Sequence, residues 1–179
     1  MSTDPTPSSL AGSAGGIAFE VLLFECAGGR YLARLDAVAE VLMPALLRSI
    51  PGSPPALLGV LNLRGDMLPV VDLGEQLSAG QGVGSHRTGS AGAWHRRDRI
   101  LRIETDGQAL GIAVDAVHGI RTLGPEQRRQ RILNDDASAG LLGDLWQIGG
   151  ETLQEIHLNA LLNRETLAKL TPQLHGMLS

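Results

Sequence analysis

The chain has 179 residues, of which 43% are apolar, with a formal net charge of −4 and a single cysteine. Enough apolar material is present to bury one core or two small linked ones, whereas the acidic balance argues against nonspecific nucleic-acid binding and one cysteine excludes an internal disulfide. Twenty-three glycines and nine prolines, with few long helical patterns, point to short elements joined by turns and hence to an all-β class.

Met1–Gly16 mixes Ser, Pro, Gly and Ala without the basic start or continuous apolar stretch of a secretory signal, and reads as a disordered tail (residues 1–16). No run approaches the roughly 18 to 20 apolar residues that cross a bilayer, so no direct membrane insertion is expected. Cys26 sits in an apolar strand pattern as a small core residue, which fits a reducing cytoplasm.

Two strand-length runs, Gly59–Leu63 and Met67–Asp72, flank Arg64-Gly65-Asp66, and the glycine suits a tight reversal. Period-two alternation puts Asn62 and Arg64 on one face and Leu61 and Leu63 on the other, leaving Arg64 exposed near a hairpin tip. Asn62 and Gly65 are expected to shape the turn, and Gly59 to permit close backbone approach.

Ser78–Asp98 is Gly/Ser-rich and aperiodic, the pattern of a flexible insert between two β-rich halves. Trp94 within it reads as a staple onto the nearby surface or as a contact for a partner pocket. Arginines cluster at Arg96-Arg97-Arg99-Arg102 and at Arg128-Arg129-Arg131, but almost no aromatics lie among them to stack bases, so both read as solvated faces. From Asn159 to Leu174, Leu161, Leu162, Leu167, Leu170 and Leu174 follow helical spacing up to Pro172, as an amphipathic helix packed on the protein itself.

Machinery for catalysis is missing. The five histidines, His86, His95, His118, His157 and His175, show no zinc-site spacing, and there is no phosphate loop, nucleophile elbow or Cys/His pattern. Asp72 and Asp115 end Val-rich runs, where a carboxylate could act as a base but is also placed to accept backbone hydrogen bonds at a strand end, and the structural role is preferred. No metal, cofactor or enzymatic activity is expected.

The stretch Leu57 to Leu77, LLGVLNLRGDMLPVVDLGEQL, resembles the signature of the CheW-like family of bacterial chemosensory coupling proteins. Further pieces follow in the family's order. Phe19–Cys26, a Gly28-Gly29 turn and Tyr31–Arg34 look like its opening hairpin, and Val38-Ala39-Glu40-Val41 stands for its Val-x-Glu-Ile element. Arg99–Thr105, the turn Asp106-Gly107, Gly111–Val117 and Thr122–Gln127 follow, before Leu141–Asp144 and Glu155–Leu162 at the close. The resemblance implies a domain over residues 17–165, two intertwined SH3-like β-barrel subdomains with short helices, and a C-terminal helix or tail at 166–179.

It also implies a noncatalytic adaptor, cytoplasmic and recruited to membrane receptor arrays. The implied partners are the regulatory domain of a CheA-type histidine kinase and the cytoplasmic tip of a methyl-accepting chemoreceptor. Arg64 and Glu40 match family positions near partner surfaces and could pair with each other. Ile100, Val117 and Ile120 align with apolar contact residues of a receptor groove, although each reads equally well as core. His118, between the last two, reads as a pH-sensing group or a passive surface histidine. The alternative reading is a regulatory small-molecule-binding or enzymatic β-barrel, which needs a concave pocket with convergent titratable groups.

Overall fold

The computed structural model describes residues 17–77, 94–105, 107–130 and 140–162. The tail, most of the Ser78–Asp98 insert, Arg131 and the leucines beyond Leu162 lie outside them. β1 (Phe19–Cys26) and β2 (Gly29–Arg34) form an antiparallel hairpin with Cys26 opposite Gly29. Its reversal is Ala27-Gly28, at φ of 49° and 76°, one residue earlier than Gly28-Gly29. Two left-handed residues give the turn the same twist as the strands it joins.

β3 (Glu40–Leu42) opens a second sheet, followed by β4 (Leu57–Leu63) and β5 (Asp66–Asp72). Asp66 pairs with Leu63, so the aspartate belongs to β5 and the turn shrinks to Arg64-Gly65. At the end of β5 the buried Asp72 carboxylate accepts the N–H groups of Gly74 (2.8 Å) and Glu75 (3.4 Å), capping the short helix α1 (Leu73–Leu77). The remaining strands are β6 (Arg99–Thr105), β7 (Gln108–Val114), β8 (Ala116–Leu123), β9 (Arg128–Gln130), β10 (Leu142–Ile148) and β11 (Glu151–Ile156), and a 3-10 helix spans Leu158–Leu162. The Gly111–Val117 run is thus split at Asp115, whose N–H donates to the Glu25 carbonyl at 2.8 Å as the chain changes sheets.

One sheet runs β8-β1-β2-β11-β10-β9 and the other β3-β6-β7-β5-β4. The chain builds β1 and β2 in the first, β3 to β7 in the second, then returns for β8 to β11, and its last 3-10 helix packs back on β6 and β7. The two halves are therefore interleaved.

Side-chain alternation turns this path into three apolar layers. On β1, Leu22, Phe24 and Cys26 enter a central layer shared with Leu101, Ile112 and Leu158, while Val21 and Leu23 face Leu32, Trp146 and Leu153 on the other side. A strand covered on both faces needs an almost unbroken apolar run, and Val21–Phe24 supplies it. The third layer, Leu61, Leu68, Val70, Ile100 and Ala113, belongs to the five-stranded sheet. That sheet curls: β3 and β4 stand at opposite ends of its order, yet Arg64, next to β4, hydrogen-bonds Glu40 on β3.

Candidate functional site

Hairpin geometry presents Arg64. Leu63 and Asp66 close the ladder, and Arg64 and Gly65 take φ of 56° and 103°, so an arginine occupies backbone space usually left to Gly or Asn. The Asn62 side-chain oxygen accepts the Gly65 N–H at 3.0 Å and pins the turn. Arg64 Nη2 lies 3.2 Å from Glu40 Oε1, yet the arginine side chain keeps 78% of its exposure. The pair orients the guanidinium without hiding it.

Behind the hairpin, Gly59 has a φ of 146°, and a β-carbon there would fall 2.6 Å from the Arg48 carbonyl oxygen. The closeness follows from a two-way backbone bridge, Arg48 N–H to Val60 C=O and Val60 N–H to Arg48 C=O, both 2.9 Å. This bridge holds the segment leading to Arg48 along the outer edge of β4. Sequence reasoning missed what that segment displays: Val41, Met43 and, at 83% exposure, Leu46 stand in solvent. A groove of about 430 Å³ lies beside Leu46, lined by Leu46, Leu47, Arg48, Val60, Asn62 and Met67. No carboxylate, histidine or cysteine is in that lining, so it offers apolar surface for docking and no acid–base pair. Met43-Pro44 inside an apolar run was the available signal, because proline disfavours a strand interior.

The three isoleucine and valine positions part company. Ile100 lies at 0% exposure in the layer of the five-stranded sheet and is core, which removes it from any partner groove. Val117 and Ile120 lie on β8, at the end of the other sheet; Val117 packs half-buried on the central layer and Ile120 is 46% exposed. Between them the β1–β8 register slips. Leu23 pairs with Gly119 and Phe24 with Val117, so His118 is the extra residue of a bulge. Its Nε2 lies 2.8 Å from Glu25 Oε1, and Arg97 Nη2 lies 3.4 Å from Glu25 Oε2.

Elsewhere, Trp94 packs on the third layer and donates Nε1–H to the Ala45 carbonyl at 2.9 Å, the staple geometry. Arg99 and Arg102 lie on β6, and Arg128 and Arg129 on the exposed β9, where Arg128 meets Asp144 at 3.5 Å. Burial, helped by the nearby Cys26 charge, holds the Tyr31 hydroxyl above its ordinary pKa. Among the described residues no group of three His, Cys, Asp or Glu side chains could hold a metal ion, and no helix is long and apolar enough to cross a membrane.

Comparison with known proteins agrees with this architecture. The family model of the CheW-like domain matches residues 20–166. Protein FrzA of Myxococcus xanthus is 32% identical over 129 residues, covering 71% of this chain and 74% of its own. Among solved structures, the scaffolding protein TtCheW from Thermoanaerobacter tengcongensis superposes with a TM-score of 0.66 over 83% of this chain and 95% of that one. At 22% identity this likeness speaks for the fold alone, all-β with two SH3-like subdomains. A family match across both sheets, joined to a relative above 30% identity, makes this chain a member of the CheW-like family of scaffold and adaptor proteins.

Proposed function

We propose that the protein is a noncatalytic adaptor coupling chemoreceptor cytoplasmic tips to a CheA-type histidine kinase in a bacterial chemosensory pathway. The observation that carries the reading is the hairpin, where an exposed arginine on a pinned turn is paired with Glu40 of β3, and the chain running on from Glu40 exposes Val41, Met43 and Leu46. An apolar patch with an oriented charge at its border suits a protein partner, the apolar part giving affinity and the charge giving register. In this reading the hairpin face takes the kinase regulatory domain. The β8 face, with Ile120 exposed and Val117 half-buried on the same strand, takes the apolar side of a receptor helix. Recruitment to membrane receptor arrays then follows from the partners, and raises the effective concentration of kinase beside receptor.

The test is binding of the purified chain to a kinase regulatory domain and to a receptor cytoplasmic fragment, comparing wild type with Arg64→Glu and Ile120→Asp. Arg64→Glu is expected to weaken the kinase complex by about ten-fold or more and Ile120→Asp the receptor complex similarly, with thermal stability retained. Unchanged affinities for both fragments in folded variants would remove these assignments.

A further inference from the structure

One short turn, Trp94–Asp98, contacts Ala45 beside the hairpin face and Glu25, the partner of His118, beside the β8 face. We propose that this turn couples the two faces, so that a partner bound at the hairpin face changes affinity at the β8 face; the inference rests on the two-partner reading above. The turn is internally braced. Asp98, 1% exposed, accepts the His95 N–H at 2.8 Å on Oδ2 and returns its own N–H to the His95 carbonyl at 3.1 Å. Arg99 Nη1 donates to the carbonyls of Arg96 (3.1 Å) and Asp98 (2.6 Å). A braced turn moves as a unit.

From one end, Trp94 grips the Ala45 carbonyl, immediately before the exposed Leu46. From the other, Arg97 reaches Glu25, whose second oxygen meets His118, the bulge residue two positions before Ile120. A displacement of Leu46 by a partner therefore has a physical route to Ile120 through Trp94, Arg97, Glu25 and His118. The coupling requires two arrangements, Arg97 seated on Glu25 as observed and Arg97 released. Because the Arg97 side chain is 67% exposed, that contact is the weakest step and limits the coupling to about five-fold.

The experiment titrates the full chain with the kinase regulatory domain, alone and saturated with receptor fragment, in wild type, Trp94→Phe and Arg97→Gln. Trp94→Phe keeps an aromatic ring against the third layer and deletes the donor along with the pyrrole half of the indole. Wild type is expected to show a three- to five-fold change in Kd, with the same factor in the reverse titration. Each variant should keep its binary affinities and show less than about a 1.5-fold change. No change in wild type, or the full change in both variants, overturns the coupler while leaving the adaptor reading intact. Should neither fragment bind, the adaptor reading fails and the route is judged in the free protein. There, the Trp94 indole N–H resonance should shift on His118→Gln and stay fixed when Arg97→Gln is already present; an indole signal indifferent to His118→Gln overturns the route.

Discussion

Gly59 and Tyr31 show how single positions hold this protein within narrow chemical limits. At Gly59 the backbone is left-handed and the space for a β-carbon is taken by the Arg48 carbonyl, itself fixed by the bridge to Val60. Gly59→Ala is expected to cost about 2 to 4 kcal/mol in chemical denaturation, more than helix or strand propensity accounts for, because strain and a steric clash add. A loss below about 0.5 kcal/mol would mean that the bridge gives way freely. Tyr31 acts through pH. Its hydroxyl is raised by burial and then by Cys26, so on alkalinisation the unfolded chain ionises first, near the ordinary tyrosine value of about 10. Its contribution is complete below that pH and is lost as pH climbs through the higher folded value. Denaturation midpoints followed from pH 8 to 11 should fall more steeply for wild type than for Tyr31→Phe; parallel curves would contradict the burial argument.

Among the elements, α1 depends on its cap and the β4–β5 hairpin on its turn. The buried Asp72 carboxylate holds two N–H groups at the start of α1, so Asp72→Ala should lower stability by about 1 to 2 kcal/mol. Asp72→Asn, which keeps the acceptor, should recover much of that loss in the same denaturation assay. Element by element, what could be read in the chain was local. The hairpin with Arg64 at its tip followed from alternation around one glycine, and the Gly59 approach and the Arg64–Glu40 pair were anticipated in kind. Ile100 and Ile120 could not be told apart. Both are isoleucines in strand-forming runs, and only the strand order, with β6 inside its sheet and β8 at an end, buries one and exposes the other. Exposure of Val41, Met43 and Leu46 was equally hidden, since it depends on Leu47 taking the buried place beside a bridge to distant Val60.

For the whole molecule, the central layer decides the thermodynamics. Phe24 lies within it at 0% exposure, among side chains from both sheets and the final 3-10 helix, so neither sheet keeps its core if the other opens. Phe24→Ala is expected to cost about 3 to 5 kcal/mol and to shift a single shared transition. In a Trp94→Phe background, fluorescence from Trp146 reports the six-stranded sheet while circular dichroism reports all strands. The two curves should coincide, and separated midpoints would show that the halves unfold independently.

The interleaved path also governs how the chain can be made. β2 receives its neighbour in parallel from β11, with Gln154 beside Tyr31 and Glu155 beside Leu32, and Trp146 and Leu153 cover the side of β1 that Val21 and Leu23 present. A ribosome delivers the opening hairpin long before those residues exist. Through most of synthesis, then, the first two strands emerge with an unpaired edge and one greasy side bare, and completion waits on the far end of the message. Pairings so distant in sequence favour slow folding. They also make the nascent β1–β2 hairpin the segment most exposed to wrong strand partners, which places selection for fidelity on the earliest part of the domain to appear.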